Sequence, residues 1–192
     1  MSVVYALLWE TTALVVIAPL AGVALAVRDF RGLRRAAIVL ALVAGVSMVA
    51  AMSARVPWQT VVATHLTLGT AAIALAVFGA LCGSTFRDPL DAAACSVAVV
   101  LIATCGLFAL GSLSADLPTG LVNAALLANP IVAVASAANI DLLRFEFLYQ
   151  ISPIAHGRFD YPAWYLAAAC FSLVSLMAAA GVVRARRFEG LR

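Results

Sequence analysis

The chain has 192 residues, of which 65% are hydrophobic and 11% are charged, and its formal net charge is +3. A soluble domain needs a polar surface that this composition does not supply. Its basic residues do not indicate nucleic-acid binding, because all of them are arginines and most flank long apolar runs. Arginines in such positions contact lipid headgroups and set orientation. Composition therefore predicts an integral membrane protein that binds no nucleic acid.

Five apolar runs are long enough to cross the hydrocarbon core of a bilayer, which takes about 20 helical residues. They cover residues 3–27, 36–54, 60–82, 92–113 and 163–183. In the turn before the fourth run, Asp88 is placed to cap the next helix and Pro89 to occupy its first turn. The sequence therefore predicts an all-α polytopic transmembrane helix bundle, with residues 1–192 as a single transmembrane domain.

A further apolar run, residues 117–138, is interrupted by Asn123 and by Asn129 followed by Pro130. A proline in the middle of a helix tends to break it. If this run crosses the membrane there are six spans, and otherwise there are five. In the five-span case, residues 114–161 form an external section with a re-entrant or surface-lying helix pair before the last span.

The arginines help to choose between these alternatives. With five spans, residues 28–35, Arg87 and residues 184–192 all lie on one side of the membrane, whereas six spans separate the first group from the last. The positive-inside rule therefore favours five spans, with the arginine-rich side cytoplasmic. The C-terminus is then cytoplasmic and the N-terminus external.

Motifs that carry chemistry are few. The chain contains no GxxxxGK[ST] phosphate-binding loop, no lysine, and no GxSxG or HExxH motif. Its cysteines, Cys82, Cys95, Cys105 and Cys170, lie in apolar runs without metal-ligand spacing. We therefore predict a chain that is not an enzyme, with no catalytic residue, no metal site and no cofactor of its own.

Two residues with an acidic or basic side chain fall inside predicted spans. Glu10 is an intramembrane carboxylate and hence a functional candidate, although its closeness to Val3 favours an outer position from which the side chain snorkels to water. His65 lies near the outer end of the third span, and its simpler interpretation is a polar group bonded within the bundle. A haem site with His156, as in a redox subunit, requires an unusual fold-back.

Gly79 and Gly83 form a GxxxG pattern in the third span. Such a pattern permits the close approach of two helices. In a chain this rich in alanine and glycine, it predicts tight packing without identifying a dimer face.

Four passages carry a family resemblance. Residues 18–33 contain Ala-Pro-Leu-Ala-Gly and end in Arg-Asp-Phe-Arg-Gly-Leu, and residues 76–93 contain Ser-Thr-Phe-Arg-Asp-Pro between two apolar helices. Residues 128–134 contain Asn-Pro, and residues 161–166 lead into a helix with a basic end. In this order, the passages resemble parts of type-two ABC exporter permeases. The first resembles the helix that enters the family's Glu-Arg-x-x-Gly-Thr-Leu segment, and the second resembles a span-turn-span. The third resembles the segment after the penultimate span, and the fourth resembles the last span.

The resemblance implies the transmembrane permease subunit of an ATP-driven exporter in a bacterial cytoplasmic membrane. Two such subunits, identical or different, pair within the membrane lipid, and a separate ATP-binding cassette subunit binds the ATP. The resemblance further implies that cytoplasmic turns couple this chain to the ATPase. Their residues are Arg28, Asp29, Phe30, Arg31, Gly32, Leu33, Arg87 and Asp88.

Two departures from the family pattern leave a second interpretation open. The family has one more span before the region that matches Pro19, and a longer coupling helix than residues 28–35 can form. Asp29 also stands where a glutamate is expected. In the second interpretation the chain is a non-transporting accessory subunit that anchors or stabilises a larger membrane complex. The spans, almost uniformly alanine, valine and leucine, do not identify a substrate.

Overall fold

A computed structural model describes residues 3–27, 42, 44–49, 51–109, 117–142 and 161–189, and the regular elements within these ranges are helical. We name six of them: α1 Val3–Ala26, α2 Trp58–Thr85, α3 Pro89–Ala109, α4 Thr119–Ala128, α5 Pro130–Ala137 and α6 Trp164–Glu189. Residues 44–49 and 51–53, within the predicted second span, are also helical. Four helices, α1, α2, α3 and α6, are long and apolar enough to cross a membrane. The predicted all-α membrane bundle is confirmed.

The helices extend beyond several of the predicted spans, because capping and turn chemistry set their ends. α2 begins at Trp58, and α6 continues to Glu189, so it includes Arg184, Arg186 and Arg187, which were expected after the last span, while Arg192 lies outside the described residues. α3 begins at Pro89, where the Asp88 carboxylate accepts a hydrogen bond from the Leu90 amide at 2.8 Å. This confirms the predicted cap.

α1 and α2 run parallel, with their backbones in contact. A Cβ added at Gly79 would lie 2.0 Å from the carbonyl oxygen of Pro19, and one added at Gly83, four residues further along, would lie 3.2 Å from the carbonyl oxygen of Val23. Residue numbers therefore rise together along the two helices. The GxxxG pattern that begins at Gly79 is thus used within the chain, for the close approach of two helices.

α6 runs in the same direction as α2. Phe171 clusters with Ala71 in the first half of both helices, and a Cβ at Gly181 would lie 3.0 Å from a methyl group of Leu81 towards their ends. α3 runs the opposite way, because residues 86–88 form only a short turn after α2.

These directions place the ends of the helices. Since α1 and α2 are parallel, the end of α1 and the start of α2 lie at opposite ends of the bundle. Phe108 near the end of α3 and Tyr161 just before α6 pack against one cluster, so these two points lie at the same end. Both positions agree with the five-span prediction.

The two ends of the bundle differ in charge. Val27 after α1, Arg87 in the α2–α3 turn and Arg184 in the last part of α6 lie at one end, which we call the arginine end. The other end, where α1, α2 and α6 begin, we call the far end. The shared position of these groups agrees with the predicted sidedness of the arginines.

α4 and α5 form a re-entrant pair at the far end. Their axes differ by 81° across Asn129. Leu117 before the pair and Ile140 after it pack against the same buried cluster, so the pair enters and leaves at one end. Residues 132–135 have no exposed surface, because α5 packs against α1, α2 and α6. α5 is therefore buried in the bundle and does not lie on its surface, which agrees with the re-entrant alternative.

Candidate functional site

The re-entrant pair bends at a single asparagine. The Asn129 Oδ1 accepts hydrogen bonds from the amides of Ile131 at 3.0 Å and Val132 at 3.3 Å, which caps the start of α5. Its Nδ2 donates to the backbone carbonyl of Thr104 on α3 at 2.7 Å. Pro130 occupies the first turn of α5, where its missing N–H needs no partner. One buried side chain therefore ends α4, starts α5 and ties both to a span.

The other end of α5 is fixed as firmly. Asn139 has a φ of 56°, and the amides of Asn139 and Ile140 donate to the carbonyls of Ser136 and Ala135. This is the Schellman arrangement, which closes a helix with a left-handed residue. The Ser136 hydroxyl also donates to the carbonyl of Pro162 at 2.7 Å, just before α6. α5 is thus an eight-residue helix held at both ends inside the bundle.

An apolar cavity of about 210 Å³ lies beneath this joint. α2, α3 and α6 form its walls, and Ala128 and Pro130 lie on the side of the re-entrant pair. The hydroxyl of Thr104, which lines it, donates to the Val100 carbonyl at 2.9 Å. The cavity therefore presents hydrocarbon almost throughout.

Glu10 does not snorkel to water. Its side chain is 6% exposed, and neither carboxylate oxygen has a hydrogen-bond partner among the residues that the structure describes. Leu7 and Leu14, one turn to either side, cluster with Leu68, which lies ten residues after the start of α2. Glu10 therefore lies deep in the bundle. Its depth is set by how α1 packs on α2, and the distance of Glu10 from Val3 along the sequence does not reveal this.

His65 is bonded within the bundle, as its simpler interpretation predicts. Its Nδ1 lies 2.8 Å from the carbonyl of Val61, and its Nε2 lies 3.1 Å from the hydroxyl of Ser47. In the neutral ring, Nδ1–H donates to Val61 and Nε2 accepts from Ser47. His156 lies outside the described residues, so the redox interpretation gains no support.

The expected coupling residues fall into two groups. Arg87 and Asp88 are exposed in the turn between α2 and α3 at the arginine end. The other group, Arg28, Asp29, Phe30, Arg31, Gly32 and Leu33, lies outside the described residues. Val27 places the start of that segment at the same end as Arg87, which is where the resemblance expects both groups.

Reasoning from the sequence missed two features that the structure contains. One is the backbone contact of α1 with α2, for which the small residues Ala18 and Gly22, four positions apart, were an available signal. The other is the apolar cavity, which had no sequence signal. Within the described ranges, no group of three or more histidine, cysteine, aspartate or glutamate side chains is placed to hold a metal ion.

Comparisons with known proteins do not assign a function, so any assignment has to come from the fold and the residues. No protein-family model, curated protein or solved structure matches this chain. The long apolar helices define an integral membrane protein with a polytopic helix bundle.

Proposed function

We propose that this chain is the transmembrane permease subunit of an ATP-driven ABC exporter, in which a separate subunit hydrolyses ATP. The observation that carries the proposal is a helix bundle in which the bent pair α4–α5 precedes the last span and enters and leaves at the end opposite Arg87. This matches the order implied by the resemblance, with an external section before the last span and cytoplasmic arginine turns. The arginine end then faces the cytoplasm of a bacterial cell.

The α2–α3 turn supports a coupling role by its construction. Asp88 caps α3 directly, and the Phe86 amide donates to the Cys82 carbonyl at 2.9 Å, which closes α2. A force applied to the exposed Arg87 is therefore transmitted to α2 and α3 through a short, hydrogen-bonded turn. Together with residues 28–33, this turn forms the docking surface for the ATP-binding cassette subunit, and a second permease subunit completes the transporter.

Charge reversal at the two ends of the bundle tests this assignment. We expect Arg87→Glu, and the double variant Arg31→Glu with Asp29→Arg, to abolish co-purification of the ATPase subunit and ATP-dependent export. Arg55→Glu is the matched control, because Arg55 is an exposed arginine in a turn at the far end. It should leave both measurements unchanged. Normal association and export in all the arginine-end variants would show that the coupling assignment is wrong.

One observation favours the accessory-subunit alternative: only residues 28–35 separate the first two predicted spans. So short a link offers little surface for gripping an ATPase. A mild-detergent pull-down followed by mass spectrometry separates the two functions. A stoichiometric ATPase supports the permease, whereas other membrane subunits without an ATPase support the accessory role. Substrate flux in vesicles that contain only this chain and one ATPase would eliminate the accessory alternative.

A further inference from the structure

The apolar cavity beneath the re-entrant joint lies at the depth of the hydrocarbon core. Its wall residues on α2 are 74, 75 and 78, those on α3 are 99, 100, 103 and 104, and those on α6 are 170, 171 and 174. Each of them is at least five residues from either end of its helix, with Thr104 the nearest, five before Ala109. Five residues correspond to roughly 7.5 Å of helix. The cavity thus lies at a level where a bilayer consists of acyl chains.

The cavity opens between α3 and α6, because the lining residues that these helices contribute include the exposed Val99, Ala103 and Val174, whereas Val100 and Phe171 are buried. Both helices pack against α2, but they make no substantial packing contact with each other. Their outer faces are strongly exposed on either side of the opening, as Ile102 at 71% and Leu176 at 70% illustrate. In a membrane these faces meet lipid, so the lipid that covers them also borders the opening.

The lining excludes water as the occupant. A buried water needs two to four polar partners. Thr104, the lining hydroxyl, already donates within its own helix, and the Asn129 amide is engaged with the Thr104 carbonyl. Apolar cavities of about 150 Å³ stay dry and bind hydrocarbon ligands. A cavity of about 210 Å³ has room for a segment of an alkyl chain.

We propose that this cavity holds part of one acyl chain of a bilayer phospholipid, which enters between α3 and α6 and ends against the α4–α5 joint. The chain contacts Val100 and Phe171 in the interior, and Ala103 lies at the mouth. This site does not depend on the proposed export function, because it needs only the folded chain in a membrane.

Photo-cross-linking in lipid nanodiscs tests the proposal. The probe is phosphatidylethanolamine with a diazirine in the middle of one acyl chain, mixed into unlabelled phosphatidylethanolamine and phosphatidylglycerol. We expect mass spectrometry to find labels on Val100 and Phe171 as well as on the lipid-facing Ile102 and Leu176. Labels on the lipid-facing pair alone would overturn the proposal, and this result would also follow if a second copy of the chain covered the opening.

A variant that blocks the mouth gives the second arm. Ala103→Phe should lower labelling of Val100 and Phe171 by about tenfold, equivalent to ~1.4 kcal/mol of binding, while Ile102 stays labelled. Ala98→Phe is the control, since Ala98 is exposed on α3 but does not line the cavity. Unchanged interior labelling in Ala103→Phe would refute the site.

A third variant allows the proposal to be tested even if the first one misfolds. If Ala103→Phe does not give a stable protein in a thermal melt, Val174→Trp narrows the same opening from α6. The same loss of interior labelling is expected, and its absence in a stably folded Val174→Trp protein would likewise refute the site.

Discussion

Asn129 combines three hydrogen bonds in one buried side chain, two to the first turn of α5 and one to α3. In a soluble protein, water would serve any of these groups that lost its partner. Within a membrane bundle no water is available, so an unmatched donor or acceptor keeps its full desolvation cost. The bend between α4 and α5 therefore depends on this residue more than on the proline beside it.

We expect Asn129→Ala to lower the free energy of unfolding by about 1–3 kcal/mol, because it removes a helix cap and a bond to a span. Asn123→Ala is the control, since the buried Oδ1 of Asn123 has no hydrogen-bond partner among the described residues, and it should leave the protein as stable or slightly more stable, because it removes the desolvation cost of that oxygen. Unfolding in a mixed-micelle denaturant titration measures both. Equal effects would contradict the role given to Asn129.

Glu10 differs from Asn129, since its buried oxygens have no hydrogen-bond partner in the described part of the chain. Replacing such a group by an apolar one of similar shape removes a desolvation cost. We expect Glu10→Met to raise the free energy of unfolding by about 1–3 kcal/mol, and Glu10→Gln to raise it less. The same titration measures this. A destabilised Glu10→Met protein would mean that the oxygens are satisfied in the membrane. A stabilised protein that no longer exports would mark Glu10 as a functional residue, as expected where stability and activity trade off.

The depth of Glu10 illustrates why single residues are hard to place from sequence. Its sequence distance from Val3 indicated an interfacial position, but depth depends on the offset between α1 and α2, and this follows from which small residues meet. By contrast, the break at Asn129–Pro130 and the Asp88 cap were predictable, because both are local effects of residue type on backbone conformation.

At the scale of elements, the close contact of α1 with α2 requires glycines, because these residues have no Cβ to separate the two backbones. We expect Gly79→Ala to destabilise the protein by about 1–3 kcal/mol, because the added Cβ meets the Pro19 carbonyl and the helices must separate. Gly69→Ala is the control on the same helix. A Cβ there has open space, so this change should be neutral or stabilising by up to about 1 kcal/mol. Thermal melts in detergent give the comparison, and equal melting temperatures would contradict the packing.

The helices α1, α2, α3 and α6 begin and end within six residues of the apolar runs that predicted them, because hydropathy identifies long apolar helices directly. The location of α5 was harder to predict from the sequence. Its eight residues are too short to span and are apolar on every side, a pattern that fits a buried helix and a membrane-surface helix alike. Only the neighbours of residues 132–135 decide between them, and those neighbours come from three separate helices.

At the scale of the whole molecule, the five-span topology predicts which positions share a side. In a cysteine-free background, we expect Gln59→Cys and Thr119→Cys to react with an impermeant maleimide added to intact cells. Thr85→Cys, at the arginine end, should react only after the membrane is permeabilised. Labelling of Gln59→Cys and Thr119→Cys from opposite sides would contradict the five-span topology.

The cavity is also a property of the whole molecule. It exists because α3 and α6 both pack on α2 and leave a gap between them. No periodicity along α3 or α6 encodes that gap, since residues that line it, such as Val99 and Val174, are the same types that face lipid elsewhere. It therefore could not be found from sequence.

The glycine contacts between α1 and α2 also limit how the protein can move. Two helices whose main chains touch at Pro19–Gly79 and Gly22–Ala76 cannot slide past each other, since a shift of one residue brings a side chain into the space that each glycine leaves open. α1 and α2 therefore behave as one rigid body. If the protein opens and closes during the proposed export, α3 and α6, the two spans that the cavity keeps apart, are free of this constraint and can move against that body.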